Sequence, residues 1–168
     1  MKIKKNLVLL GMMGVGKSTI GRYVAKKLKI KFFDIDKIIE KENKMRIKEI
    51  FETAGETYFR KKEESVTLKY LDVKESVISL GGGAFVNEKI RAKVLSDCFS
   101  VWINLNFETL YKRLKKNKKR PLINNKDSNN IRKILLERKK IYSEADQKIN
   151  CDNLSLDQTV NRIIEIYE

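Results

Sequence analysis

The sequence predicts an α/β fold, a layered sandwich in which a parallel sheet carries helices on both faces. Three observations predict it. The short apolar runs are continuous rather than alternating, as in strands buried on both faces. Helical patterns separate successive runs, the order that builds a parallel sheet. A glycine-rich turn, Gly11-Met-Met-Gly-Val-Gly-Lys-Ser18, lies between the first run and the first helix. Taken in order, residues 6–10 form the first strand, and from Lys17 onward Ile20, Tyr23, Val24 and Leu28 recur at helical spacing. Residues 31–34 form a second strand, followed by helical patterns over 36–43 and 47–54. Gly55 marks a helix stop, and another helix runs from Glu56 to about Leu71. A third strand, 77–80, ends in Gly81-Gly82-Gly83; Asn87 caps the next helix, 99–103 is a fourth strand, and Asn106 caps the helix after it. Residues 147–150 make a fifth strand, and a capping box of Ser155 and Gln158 opens the last helix. Residues 115–130 depart from the pattern. They hold five basic residues among the six from Lys115 to Arg120, then the only proline, and read as a flexible flap. No repeat or linker divides the chain, so one domain is expected over its 168 residues.

Composition narrows the function. No apolar stretch approaches the roughly 18 residues that span a bilayer, and the apolar run after the basic N-terminus is too short for a secretory signal. Cys98 and Cys151 lie far apart and form no metal-type pair, which suits free thiols in a cytoplasmic protein. The absence of histidine removes His triads, His bases and His–metal sites. The net charge of +15 comes from 28 lysines and nine arginines spread along the chain, with no aromatic-plus-basic nucleic-acid module. No specific nucleic-acid partner and no membrane partner are expected. A basic field favours anionic small molecules.

The segment from Gly11 to Ser18 fits G-x-x-x-x-G-K-[ST] at every fixed position and sits between a strand and a helix, as the phosphate loop requires. Its backbone N–H groups converge on nucleotide phosphates and the helix N-terminus adds positive potential. Lys17 reaches the outer phosphates and Ser18 ligates Mg²⁺. This is a nucleoside-triphosphate site. Phe33-Asp-Ile-Asp36 closes the second strand at the carboxyl edge, where open α/β sheets bind ligands. Strand alternation points Asp34 and Asp36 the same way. One carboxylate near Mg²⁺ and one near an acceptor hydroxyl would divide the work, although such pairs also serve as solvated helix caps. Three consecutive glycines, Gly81, Gly82 and Gly83, exceed what a chain reversal needs and expose amides to a ligand. Arg60 and Arg138 offer planar forks suited to a carboxylate, though either alone is also an ordinary surface ion-pair residue. Arg120, beside Pro121 on the flap, is either a mobile cation for a transferring phosphate or part of a solvated charge run.

From end to end, roughly residues 6–166, the chain resembles the shikimate kinase family. The resemblance rests on Gly11–Gly21, Phe33–Asp36, Ile50-Phe…Gly55-Glu-Thr-Tyr-Phe-Arg60…Glu63, Gly81–Gly83, Arg120-Pro-Leu122 and Glu137-Arg138…Tyr142-Ser-Glu-Ala145. The family's fold is a P-loop fold like the nucleoside monophosphate kinases, with a five-stranded parallel sheet, an acceptor-binding region (here about 34–62) and a mobile lid (about 113–128). The implied reaction moves the γ-phosphate of ATP to the 3-hydroxyl of shikimate, on the way to chorismate and the aromatic amino acids, with Mg²⁺ as cofactor. By resemblance, Lys17, Asp36 and Arg120 are the catalytic set, Asp36 holding the reacting hydroxyl. Gly14, Val15, Gly16, Lys17, Ser18, Thr19, Arg113, Arg120 and Asn153 match ATP-binding positions, with Arg113 stacking on adenine. Asp36, Arg60, Gly81, Gly82, Gly83 and Arg138 match shikimate-binding positions, and Glu63 orients Arg60. Ser18 and, through water, Asp34 match the Mg²⁺ environment. A cytoplasmic monomer is expected. Three departures stand out: Lys139-Lys140-Ile141 where the family has a proline and a leucine, Cys151 where a threonine or serine is common, and a lid rich in lysine and asparagine.

Overall fold

The computed structural model describes residues 5–116 and 128–168, and its centre is a five-stranded sheet in the order β2-β3-β1-β4-β5. The strands are β1 (Asn6–Leu10), β2 (Lys31–Asp34), β3 (Ser76–Ser79), β4 (Cys98–Asn104) and β5 (Gln147–Asn150). All four pairings are parallel, with Leu7 opposite Val77 on one side of β1 and Phe99 on the other. β1 and β3 are buried at every position, as strands covered on both faces must be. The helices are α1 (Lys17–Leu28), α2 (Ile35–Asn43), α3 (Ile47–Leu71), α4 (Glu88–Asp97), α5 (Phe107–Lys116), α6 (Ser128–Tyr142) and α7 (Leu156–Tyr167). α1 packs with α7, whereas α3 packs with α2 and α4, giving two helical layers around the sheet. The α/β class and parallel sheet expected from the patterning are the ones found.

Local signals explain most boundaries. Asn87 accepts from the amides of Lys89 and Ile90 at the start of α4, and Asn106 accepts from Thr109 at the start of α5. Ser155 and Gln158 form the reciprocal capping box of α7. Gly55 breaks helical geometry inside α3, with φ 83° and ψ 170°, so the two expected helices abut at one kink.

Of the residues that recur at helical spacing in α1, Ile20 and Val24 are buried, whereas Tyr23 is 48% exposed. Three expectations are corrected. β3 begins one residue earlier and ends one earlier than its apolar run, because Ser76 is buried through its own bonds: its amide donates to Asn6 Oδ1 and its hydroxyl to the Val73 carbonyl. Asp36 lies in the first turn of α2 rather than on β2. Strand alternation therefore does not relate it to Asp34, which instead caps α2 by accepting from the Lys37 amide at 3.2 Å. Finally, the stretch 115–130 is helical at both described ends: Lys115 and Lys116 complete α5, and Ser128 to Asn130 begin α6.

In this topology the connections leaving neighbouring strands β1 and β4 run in opposite directions across the sheet. The crevice such a switch opens at the carboxyl ends of the strands is where ligands bind in open α/β sheets. The candidate site lies there.

Candidate active site

The turn after β1 is shaped by glycines in conformations that other residues rarely adopt. Gly11, Gly14 and Gly16 have φ of 139°, 82° and 102°, and Gly16 is the residue preceding α1. The turn thus delivers Gly14, Val15, Gly16, Lys17, Ser18 and Thr19 to the N-terminus of a twelve-residue helix, a position suited to an anion. Lys17 is 7% exposed, and its ammonium donates to the carbonyls of Gly11 and Met12 at 2.8 and 2.9 Å. The charge is therefore held across the mouth of the turn. Arg113, from the last turn of α5, lies over the same turn and donates to the Val15 carbonyl at 3.3 Å.

Beside the turn stands a second cluster, contributed by α2, α3, the glycine run after β3 and α6. Arg60 on α3 donates to Glu63 at 2.7 Å, one helical turn away, and lies against Gly83. Arg138 on α6 donates to the Gly82 carbonyl at 3.1 Å. Asp36 reaches the cluster from the first turn of α2, so that a Cβ added at Gly81 would sit 2.7 Å from Asp36 Oδ1 and equally close to Glu63 Oε1. At Gly82 a Cβ would press within 3.0 Å of the Met13 amide, and at Gly83 within 2.8 Å of Arg60 Nη1. Any side chain on this run would fill the space between the two arginines, the carboxylate and the phosphate turn. Among the described residues, the amides of Gly82 and Gly83 donate to no acceptor within the protein.

The electrostatics are asymmetric. Burial pushes the Glu63 carboxyl above its ordinary range, Arg60 pulls it partly back, and Asp36 adds to the rise. For Arg60, burial also opposes the charge, but Glu63 and Glu56 outweigh it and hold the guanidinium above its usual value. The difference follows from depth: the Glu63 side chain is 4% exposed and that of Arg60 31%. Arg60 is thus a cation fixed in direction by a buried carboxyl group, with part of its surface still open.

The remaining expected residues are less tightly drawn together. Asp34 caps α2 through Oδ1, and its other oxygen makes no hydrogen bond among the described residues. Ser18 is partly exposed at the first turn of α1. Among the described residues no cluster of three acidic, cysteine or histidine side chains exists. One hydroxyl and one carboxylate beside a phosphate turn nevertheless fit Mg²⁺, which keeps several waters and shares substrate phosphates rather than occupying an all-protein cage. Asn153 is exposed on the turn after β5. That turn is tied to the rest of the edge where Asp152 accepts from the Asn106 amide at 2.9 Å and the Cys151 amide donates to the Asn104 carbonyl at 2.9 Å. Arg120 and most of the expected lid fall outside the described residues. Two residues without an assigned role do join the cluster: the Tyr142 hydroxyl donates to the Gly82 carbonyl, and Met12 Sδ lies 3.7 Å from Arg138 Nη1. The available sequence signal was the four-residue spacing of Arg138 and Tyr142 on one helix.

A family model described as shikimate kinase matches residues 13–168. The shikimate kinases of Bacillus licheniformis and Flavobacterium johnsoniae are 40% and 42% identical to the chain, each alignment covering 96% of it and 93% and 98% of the relatives. Among solved structures, a shikimate kinase from Acinetobacter baumannii in complex with shikimate matches with TM-score 0.92 at 29% identity, over 96% of this chain and 92% of that one. The shikimate kinase of Aquifex aeolicus matches with TM-score 0.83 at 34% identity, over 96% and 94%.

Proposed function

The chain belongs to the shikimate kinase family, and from that premise we propose that it transfers the γ-phosphate of ATP to the 3-hydroxyl of shikimate, giving ADP and shikimate 3-phosphate. The observation that carries this reading is the convergence of Arg60, Arg138 and Asp36 on the glycine run beside the phosphate turn. Two forked cations suit a carboxylate, and a single carboxylate suits a reacting hydroxyl. We assign the shikimate carboxylate to Arg60 and Arg138, with Glu63 fixing Arg60, and the ring to Gly81, Gly82 and Gly83.

On the nucleotide side, Gly14, Val15, Gly16 and Thr19 enclose the phosphates, and Lys17 exchanges its present carbonyl partners for phosphate oxygens. Arg113 and Asn153 flank the adenine, and Arg120 is assigned to the transferring phosphoryl group. Ser18 and, through water, Asp34 would hold Mg²⁺, which supplies charge neutralisation on the phosphate oxygens. In the reaction the acceptor oxygen forms a bond to the γ-phosphorus as the bond to the β-phosphate oxygen breaks. Asp36 orients the hydroxyl and receives its proton late, because a loose transition state needs little early deprotonation. Lys17 and Arg120 stabilise charge as ADP leaves. Both cysteines are free and buried, which suits a reducing cytoplasm, and no described helix is long and apolar enough to cross a membrane.

The test is ADP release from MgATP with shikimate, quinate, gluconate, AMP or single-stranded DNA. Stimulation by shikimate alone is expected. Stimulation by a different acceptor would keep the phosphate site and discard the arginine clamp. Stimulation by DNA would replace the reading with a nucleic-acid-dependent nucleotidase.

A further inference from the structure

Tyr142 is wholly buried at the end of α6, one turn beyond Arg138. Its ring packs against Trp102 of β4, with centroids 5.8 Å apart, and this contact alone would make it a core residue. Its hydroxyl, however, donates to the Gly82 carbonyl, the same oxygen that accepts from Arg138 Nη1 at 3.1 Å. Met12 Sδ lies against both, 3.7 Å from Arg138 Nη1 and 3.9 Å from the Tyr142 oxygen. The Met12 carbonyl in turn receives the Lys17 ammonium at 2.9 Å. One buried hydroxyl therefore touches the glycine run, the arginine fork and the phosphate turn together.

We propose that Tyr142 is a positioning residue for the acceptor site: by anchoring the Gly82 carbonyl it fixes the glycine run and, through the shared oxygen, the angle of Arg138. In a trans peptide the carbonyl and the following N–H point to opposite sides. Holding the Gly82 carbonyl therefore sets the direction of the Gly83 N–H, one of the amides that donate to no acceptor among the described residues. The Arg138 fork is useful only at a defined angle, because bidentate pairing with a carboxylate is planar. Burial raises the tyrosine above its ordinary range, so the hydroxyl remains a donor throughout the working pH range. The inference rests on the proposed reading of the cluster as the shikimate site.

Tyr142→Phe tests it, since the ring and its packing on Trp102 remain and Arg138 still satisfies the Gly82 carbonyl, leaving no orphaned acceptor. The shikimate KM is expected to rise about tenfold, the order of one lost buried hydrogen bond, with kcat and the KM for MgATP within about twofold. Combined with Arg138→Lys, the effects on shikimate KM should be strongly non-additive, because both act on one oxygen. Should turnover fall too low for kinetics, calorimetric titration of shikimate into the same variant reads the affinity directly. An unchanged shikimate affinity, equal losses for both substrates, or additivity with Arg138→Lys would each overturn the inference. If the wild-type chain does not phosphorylate shikimate, the proposed function fails and this inference with it; wild-type turnover with an unaltered variant removes the inference alone.

Discussion

Asp36 stands beside a buried carboxylate and two arginines, and its assigned work is to orient a hydroxyl rather than to bind nucleotide. Asp36→Asn is therefore expected to lower kcat by about 10²–10⁴, the range for a positioned acid–base group, with the KM for MgATP within about twofold. A steady-state assay with near-wild-type turnover would remove Asp36 from the chemistry. For Arg60→Lys, the lysine keeps the charge and loses the fork, so the shikimate KM should rise about tenfold or more; an unaltered KM would dissolve the clamp. Glu63 gives a prediction of opposite sign from the usual carboxylate. Burial raises its folded-state pKa, so the native state holds the proton more tightly than the unfolded chain. Its contribution to stability is complete at acid pH and is lost as the pH climbs through that raised value. Glu63→Gln stays neutral throughout, so its unfolding midpoint should gain on that of wild type as the pH rises above the ordinary carboxylate range. A difference that is flat or reversed with pH would mean that the ion pair with Arg60 outweighs the burial. At this scale the sequence was informative wherever a residue type has one chemical use. The two arginines were conspicuous among lysines, and the glycine triplet exceeded any turn. Tyr142 belongs to the resemblance, but its contact with the glycine run was not legible, because an apolar helix face hides a tyrosine whose hydroxyl has found a carbonyl.

Elements were legible where capping chemistry coincides with a change of period, as at Asn87, Asn106 and Ser155, and unclear where polar residues are buried or apolar ones are sparse. Ser76 belongs to β3 only because Asn6 and Val73 supply its partners, which the local sequence does not announce. The chain passes from strand to helix at Asp34, whose side chain caps α2, and two residues of strand pattern carried too far misplaced Asp36. α6 was obscured by the lysine- and asparagine-rich residues before it, although Ile131, Leu135 and Tyr142 line its buried face. Gly55 shows the opposite case, a residue whose type dictates the element. With φ 83° and ψ 170° it occupies a region nearly closed to residues with a Cβ, while no atom lies within 4 Å of where that Cβ would be. Gly55→Ala therefore isolates backbone strain from steric overlap. A loss of about 1–3 kcal/mol is expected, seen as a fall of roughly 2–10 °C in the thermal midpoint for a chain of this size. An unchanged midpoint would show that the kink in α3 relaxes into continuous helix, and the joint between the two halves of α3 would then carry no conformational constraint.

The whole molecule carries a net charge of +15, far more than the few cations of the site require, and both proposed substrates are anions. A field of this sign raises the local concentration of anionic ligands over distances of about 10 Å in 0.1 M salt. Contacts inside the crevice are screened less, because Glu63 is buried and Arg60 half-buried against it. These two contributions separate on titration with salt. Raising KCl from about 0.02 to 0.5 M shortens the screening length from about 20 Å to about 4 Å, so kcat/KM for shikimate should fall severalfold while kcat, measured at saturation, changes little. MgATP, with more charge, should respond more steeply than shikimate. Single-stranded DNA should bind at low salt and release sharply as salt rises, as counterion release dictates, without stimulating ADP formation at either end. A shikimate kcat/KM that stays flat across the titration would confine the useful charge to Lys17, Arg60, Arg113, Arg120 and Arg138. The scattered lysines would then be a property of composition with no part in substrate capture.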